Sequence, residues 1–136
     1  MSPPYQILIL DDEPIVGERL KTLLEKDGYE VENFVDPIAA LQRLEEKDFD
    51  IVVSDIRMRD MDGIEVMNAV RQKSKRIKVI LITGYATLEL ARESLTKGAY
   101  DFIAKPFKSR EIRSTIQKAV EALNQNQQQL SATAET

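Results

Sequence analysis

The chain contains no cysteine and no histidine among its 136 residues. The absence of cysteine excludes disulfide bonds and thiolate-bound zinc, and the absence of histidine removes the commonest general base and metal ligand. Any reactive or metal-binding site must therefore be built from carboxylates, hydroxyl groups and amines. The sequence has no run of about 18 apolar residues, and its first residues lack the basic and apolar regions of a signal peptide. These absences favour a cytoplasmic protein without membrane association.

The charge balance is mildly acidic, with a formal net charge of −4 and a sequence pI of about 5.0. Proteins that bind nucleic acid directly usually carry an excess of basic residues on one face. We therefore expect no direct nucleic-acid binding by this chain. The length is that of a single domain with one hydrophobic core.

Short apolar runs alternate along the chain with segments of helical periodicity. Four continuous runs are typical of strands buried on both faces of a parallel sheet: 7–10, 51–53, 79–82 and 102–104. A fifth segment, 29–34, alternates apolar and polar residues, as strands near the edge of a sheet do. Apolar residues at helical spacing, including Ile38 and Leu95, follow each of the five segments.

Five βα units predict an α/β protein with a three-layer, doubly wound (βα)5 fold around a parallel five-stranded sheet. We expect one domain over residues 1–123. Residues 124–136 are rich in glutamine, alanine, serine and threonine, which favours a polar C-terminal tail or linker, or an extension of the last helix.

Polar and charged residues come directly after the apolar runs. The carboxyl ends of parallel strands meet at one edge of the sheet, where ligands bind in folds of this type. Clustered carboxylates destabilise one another unless a cation lies between them, and Mg²⁺ prefers oxygen ligands. The sequence therefore predicts a Mg²⁺ site at this edge, among Asp11, Asp12, Asp55, Thr83 and Lys105.

Each of these residues also has a purely structural interpretation. Asp11 and Asp12 could cap the first helix, and Asp55 could cap the loop that follows its strand. Thr83 could be an ordinary strand-end hydroxyl, and Lys105 a solvated loop charge. The convergence of the whole set on one edge favours the binding site.

Four sequence motifs appear in order at the ends of the strands: LDDEP at 10–14, SDIRM at 54–58 with Asp62 and Gly63, ITGY at 82–85, and GAYDFIAKPF at 98–107. Together they resemble the receiver (CheY-like) domain of bacterial two-component response regulators, over about residues 6–123. The resemblance implies a flavodoxin-like sheet with strand order 2-1-3-4-5.

The resemblance implies a phosphorylation site. Asp55 is then the residue that accepts the phosphoryl group, and Thr83 and Lys105 contact it. The Mg²⁺ ligands are then the carboxylates of Asp11, Asp12 and Asp55 and the backbone carbonyl of Arg57. No organic cofactor is implied. The domain would phosphorylate and dephosphorylate itself without turning over an external substrate.

The resemblance also implies a conformational switch. Thr83 and the aromatic residue Phe102 would move together after phosphorylation and change the surface formed by the fourth helix, the fifth strand and the fifth helix. Pro106, which follows Lys105, matches the family's proline in a cis peptide bond.

Arg59 and Tyr85 lie close in sequence to the residues of the predicted phosphorylation site and affect what is expected of it. Met58 is followed by Arg59, where the family usually has proline. Tyr85 lies two residues after Thr83, and we expect its side chain to shield the phosphorylated aspartate from water.

The resemblance implies a sensor histidine kinase or phosphotransfer protein as partner, since the chain has no histidine of its own. The motifs around Asp55 and Thr83 are similar to those of NtrC-like transcription regulators, in which an ATPase output domain follows. A homodimer is a further possibility, because the apolar spacing of the fifth helix could reach Leu130 as a short coiled coil.

Three other functions are found on α/β sheets of this kind. A HAD-like aspartyl phosphatase needs a second aspartate two residues after the nucleophile, where this chain has Arg57. A flavin mononucleotide carrier needs a phosphate-binding first loop, which Asp11 and Asp12 would oppose. A pseudo-receiver that keeps the fold for protein interaction is the remaining alternative.

Overall fold

The structure, a computed structural model, describes residues 4–135, without the side chains of Tyr85 and of residues 126–135. The strands are β1 (Gln6–Leu10), β2 (Glu30–Phe34), β3 (Ile51–Asp55), β4 (Lys78–Thr83) and β5 (Asp101–Ala104). The helices are α1 (Pro14–Lys26), α2 (Pro37–Glu46), α3 (Gly63–Lys73), α4 (Leu88–Lys97) and α5 (Ser109–Glu135), and a short 3-10 helix, Tyr85–Thr87, precedes α4.

The five strands form one parallel sheet in the order β2-β1-β3-β4-β5. This order confirms the doubly wound fold. The chain reverses its direction across the sheet between β1 and β3, and Leu10 pairs with Ser54 in the register. The residues that follow β1 and those that end β3 are therefore neighbours at the crevice where such sheets bind ligands.

Alternate residues of each strand contribute to two separate cores, one on each face of the sheet. Leu8, Val52 and Leu81 pack with α2, α3 and α4. Ile9 and Val53 pack with α1 and α5 on the other face. Because both faces of the central strands are covered, their sequences are continuously apolar, as predicted.

The edge strand β2 has the predicted alternating pattern. Val31 is buried, whereas Glu32 is partly exposed. Arg43 donates to Glu32 at 2.8 Å, and the Lys47 ammonium lies 2.9 Å from the same carboxylate. Charged side chains on an edge strand oppose pairing with a strand of another molecule.

Two residues of the predicted apolar stripes do not lie in the core. Ile38 on α2 is 48% exposed and Leu95 on α4 is 42% exposed. On α4 the small side chains of Ala91 and Ser94 are the buried ones. The periodicity identified both helices, but it gave the wrong orientation for these two side chains. For Leu95 the reason is that the buried stripe of α4 is narrow and includes a serine.

The ends of the helices follow their local sequences. Pro14 and Pro37 lie in the first turns of α1 and α2, where the missing N–H has no intrahelical partner to lose. Gly98 ends α4 with a φ of 123°, a conformation that other residues rarely adopt.

Helix α5 continues through residues 124–135. Leu130, the last residue of the predicted coiled-coil spacing, lies among the residues whose side chains are not described. Between residues 4 and 135, no helix combines the length and the apolar character needed to cross a bilayer.

Candidate functional site

Three aspartates converge at the carboxyl edge of the sheet. Asp11 and Asp12 follow β1, and Asp55 ends β3. One carboxylate oxygen from each residue lies within 4.8 Å of the other two. Asp11 is fully buried and Asp55 is 6% exposed, whereas Asp12 is at the solvent-facing side of the cluster. The structure thus brings together carboxylates that are more than forty positions apart in the sequence.

Asp11 lacks a hydrogen bond on one side of its carboxylate. Its Oδ1 accepts a hydrogen bond from the backbone N–H of Glu13 at 2.9 Å, but its buried Oδ2 has no hydrogen-bond partner among the described residues. Burial raises the pKa of Asp11; the Glu13 N–H and the Lys105 ammonium oppose this rise, and the negative charges of Asp55 and Glu13 add to it. The cluster is therefore short of positive charge.

Lys105 supplies the cation that the structure places beside the aspartates. Its Nζ donates a hydrogen bond to Asp55 Oδ2 at 3.0 Å and lies 3.7 Å from Asp11 Oδ2. Burial acts to lower the pKa of Lys105, but the hydrogen bond to Asp55 and the charges of Asp55, Asp11 and Glu13 outweigh it, and the pKa is raised. Lys105 is therefore a cation at neutral pH.

The backbone holds Lys105 at this edge. Its N–H donates to the carbonyl of Thr83 at 2.7 Å, which ties the loop after β5 to the end of β4. The peptide bond from Lys105 to Pro106 is cis.

Gly63 allows the end of β3 to pack closely against α3. A Cβ atom at this position would lie 2.4 Å from the backbone oxygen of Asp55 and 2.9 Å from Ile56 Cα. The Gly63 N–H donates to the carbonyl of Ile56 at 2.8 Å, and Asp62 caps α3 by accepting from the Glu65 N–H at 2.8 Å. The Asp-Gly pair of the second motif thus fixes the backbone beside Asp55.

Thr83 is fully buried at the end of β4. Its hydroxyl lies 3.0 Å from the carbonyl of Gly84 and 2.5 Å from the hydroxyl of Thr87. Among the side chains that the structure describes, no hydrogen bond joins Thr83 to Asp55. Thr87 was not predicted from the sequence. The pattern that could have indicated it is a pair of threonines four residues apart, between a strand and a helix.

The remaining predicted residues lie around the cluster. Phe102, on the edge strand β5, is partly buried and packs against the core formed with α2, α3 and α4. Arg57 and Arg59 are exposed in the loop between β3 and α3. The expected shielding by Tyr85 concerns a side chain outside the described part of the chain.

Residues 7–117 match the sequence profile of the response regulator receiver domain. The chain belongs to this family. The resemblance found in the four motifs is thereby confirmed, and receiver domains of this kind act in two-component systems. The flavin carrier and the phosphatase are disfavoured accordingly.

Similar proteins include transcription regulators of the NtrC-like type. The regulatory protein AtoC of Escherichia coli is 37% identical over 121 residues, which are 89% of this chain and 26% of AtoC. The C4-dicarboxylate transport transcriptional regulatory protein DctD of Pseudomonas aeruginosa is 36% identical over 117 residues, which are 85% of this chain and 25% of DctD. This receiver domain therefore spans about a quarter of the length of these relatives.

A crystal structure of a CheY-like response regulator receiver domain protein from Methanospirillum hungatei superposes with a TM-score of 0.83. The two proteins are 32% identical, and the superposition covers 90% of this chain and 98% of the other. The fold of the receiver domain described above is thus shared with solved members of the family.

Proposed function

We propose that this receiver domain is controlled by phosphorylation of Asp55 in the presence of Mg²⁺. The observation that carries the proposal is the carboxylate cluster, whose oxygens lie within 4.8 Å of one another, with the Lys105 ammonium 3.0 Å from Asp55. This combination offers a nucleophilic carboxylate, oxygen ligands for a divalent cation and a fixed positive charge.

The residues of the cluster fit Mg²⁺. The donor set consists of oxygens alone, which this hard cation prefers, and Asp11 Oδ2 is buried without a hydrogen-bond partner among the described residues. We assign the ion to the carboxylates of Asp11, Asp12 and Asp55 and to the backbone carbonyl of Arg57. When bound, the ion neutralises charge on the phosphoryl oxygens.

The chemical step is a phosphoryl transfer to Asp55. An oxygen of the Asp55 carboxylate forms a bond to the phosphorus atom of a phosphohistidine on the donor protein. The bond between phosphorus and the histidine nitrogen breaks, and its electron pair stays on that nitrogen. Lys105, already held at Asp55, interacts with the negative phosphoryl oxygens. The hydroxyl of Thr83 rotates towards the phosphoryl group and donates a hydrogen bond to it.

The movement of Thr83 links the site to a distant surface. Thr83 ends β4, and Phe102 lies on the neighbouring strand β5, where its side chain is only partly buried. We assign Phe102 to the same switch, so that phosphorylation changes the surface formed by α4, β5 and α5. The partly buried state of Phe102 supports this assignment because the ring has both a core environment and access to the surface.

The phosphodonor is a separate protein, because this chain contains no histidine. We assign this role to a sensor histidine kinase or a phosphotransfer protein. By analogy with the NtrC-like relatives, the partner that responds is an ATPase output domain or a second copy of this chain in a homodimer. Residues 124–136 connect the receiver domain of residues 1–123 to that partner. No turnover of an external substrate is expected.

Binding of the phosphoryl analogue beryllofluoride tests this function. Isothermal titration in the presence of Mg²⁺ should show one site in the parent chain and none in Asp55→Asn, because the amide cannot act as the anionic ligand. Asp60→Asn, in the exposed loop that follows, is the matched control and should bind like the parent.

Removal of Mg²⁺ should abolish the binding by the parent as well. Absence of binding by the parent with Mg²⁺ would instead favour the pseudo-receiver, which keeps the fold without the chemistry.

A further inference from the structure

Two buried threonine hydroxyls meet where β4 leads into α4. Thr83 is 0% exposed and Thr87 is 8% exposed. Their Oγ1 atoms lie 2.5 Å apart, and Thr87 Oγ1 is also 3.4 Å from the carbonyl of Gly84. The hydroxyl of Thr87 thus lies against the group that the proposed function requires to move.

Thr87 occupies the N-cap position of α4 but does not cap the helix. A threonine at this position usually accepts a hydrogen bond from a backbone N–H in the first turn. Here its side chain makes no capping hydrogen bond. Its position is fixed instead by the hydrogen bond from its backbone N–H to the carbonyl of Gly84, at 3.2 Å. The side chain is directed to Thr83 rather than to its own helix.

The hydroxyl of Thr83 carries a single hydrogen. In the structure its neighbours are the hydroxyl of Thr87 and the carbonyl of Gly84. A buried hydroxyl that rotates away from these neighbours loses its hydrogen bonds to them, and it gains only the hydrogen bond to the new acceptor. Rotation of Thr83 towards Asp55 therefore competes with its contact to Thr87.

We infer that Thr87 is a positioning residue that holds the Thr83 hydroxyl at the start of α4 and thereby opposes the phosphorylated state of Asp55. This inference rests on the proposed function, in which Thr83 donates to the phosphoryl group. Thr87 acts through Thr83 and makes no contact with the phosphoryl group itself. Its hydroxyl, and not its shape, carries the effect.

Beryllofluoride titration of Thr87 variants in the presence of Mg²⁺ tests the inference. Thr87→Val keeps the branched shape and removes the hydroxyl, and we expect it to bind the analogue more tightly by roughly two- to tenfold, the range of one net hydrogen bond. Thr87→Ser keeps the hydroxyl and should restore the affinity of the parent. Thr87→Ala provides a second variant without the hydroxyl and should also bind more tightly.

A matched control lies on the same helix. Thr96 is exposed, and its hydroxyl donates to the carbonyl of Glu93. Thr96→Val makes the same chemical change away from Thr83 and should leave the affinity unchanged. Thermal unfolding of every variant, followed by circular dichroism, identifies any that does not fold.

The double variant separates a direct coupling from a general effect on α4. In a Thr83→Ala background the hydroxyl that Thr87 holds is gone, so Thr87→Val should produce no further change in affinity. A gain that persists in this background would overturn the inference, and so would equal or weaker binding by Thr87→Val and Thr87→Ala in the parent background. If the parent itself does not bind beryllofluoride, the proposed function fails and the inference fails with it.

Discussion

The two ends of β3 each carry an aspartate, and their surroundings differ. Asp50, just before the strand, accepts a hydrogen bond from the Gln6 N–H at 2.7 Å on one carboxylate oxygen and from Arg76 at 2.8 Å on the other. At the opposite end, the Lys105 ammonium lies 3.0 Å from Asp55 and 3.7 Å from Asp11. Asp50 is fully paired, whereas the carboxyl edge has more buried negative charge than its neighbours neutralise.

The difference separates a stabilising role from a binding role. A paired aspartate at a strand end holds two elements together and needs nothing further. Buried carboxylates without enough partners destabilise the fold unless they bind a cation. The amino edge of the sheet is therefore structural, and the carboxyl edge is the one to which the proposed function assigns binding.

The largest expected effect comes from removing one charge of the cluster. Asp11→Asn should weaken Mg²⁺ binding on the order of a hundredfold, because affinity for such cations depends on the number of charged ligands. A titration of Mg²⁺, followed by intrinsic tyrosine fluorescence or by calorimetry, measures the change. Asp60→Asn should leave the affinity unaltered.

The same substitution should stabilise the fold when Mg²⁺ is absent. Since burial raises the pKa of Asp11, its ionised form is less favourable in the folded chain than in the unfolded chain, and this penalty is present at pH values above the folded pKa. Asp11→Asn removes it, and the free energy of unfolding at pH 7 should rise by roughly 1–2 kcal/mol, part of the several kcal/mol that burying an ion costs, because the Lys105 ammonium at 3.7 Å offsets only some of that cost. Urea unfolding that shows a loss of stability would contradict the contrast between the two edges.

Close packing at the carboxyl edge gives the largest expected loss of stability. Gly63→Ala places a Cβ atom against the backbone of Asp55 and Ile56, and should lower the free energy of unfolding by about 2–3 kcal/mol. At Gly84 a Cβ atom would meet nothing within 4 Å, so Gly84→Ala is the control and should change stability little. Equal urea midpoints for the two variants would show that the end of β3 has room to move.

At the amino edge the expected effect is on stability alone. Asp50→Ala leaves the Gln6 N–H and the Arg76 guanidinium without their acceptor, and should lower the free energy of unfolding by about 1–2 kcal/mol. Mg²⁺ affinity should stay at the parent value. A change in the Mg²⁺ affinity of Asp50→Ala would contradict the assignment of a purely structural role to the amino edge. The exposed neighbour Asp48, changed to alanine, serves as the control.

The smallest expected effect lies on the edge strand. The hydrogen bond from Arg43, assisted by Lys47, lowers the pKa of Glu32 below its usual value of 4.5. Glu32 therefore adds stability that is fully present at pH values above 4.5 and is lost as the pH falls through the lowered pKa. Glu32→Gln should reduce the free energy of unfolding at pH 7 by about 0.5 kcal/mol. Urea unfolding at several pH values should show this difference shrinking in acid, and a constant difference would point to packing instead of charge.

Much of the fold could be predicted because the two cores require continuous apolar strands and periodic helices. The prediction of the fold was incomplete where polar residues are buried. The apolar run 51–53 does not mark the end of β3, because Ser54 and Asp55 continue the ladder with Leu81 and Ile82. On α4 a buried serine, Ser94, takes a place that the periodicity gave to an apolar residue.

The composition of the site could be predicted from strand ends, because parallel strands bring their carboxyl ends together. The contacts between the side chains of the site could not be predicted, since they depend on the rotation of each side chain. The sequence gives no indication of whether the Thr83 hydroxyl is directed to Asp55 or to Thr87. The pairing of Asp50 with Gln6 and Arg76 was likewise not visible, because it joins residues 44 and 26 positions apart.

Intact-protein mass spectrometry after incubation with acetyl phosphate tests the central claim most directly. The account predicts that one phosphoryl group is added per chain when Mg²⁺ is present, that peptide mapping locates it at Asp55, and that Asp55→Asn is not modified. Modification that is independent of Mg²⁺, or that continues in Asp55→Asn, would contradict the account.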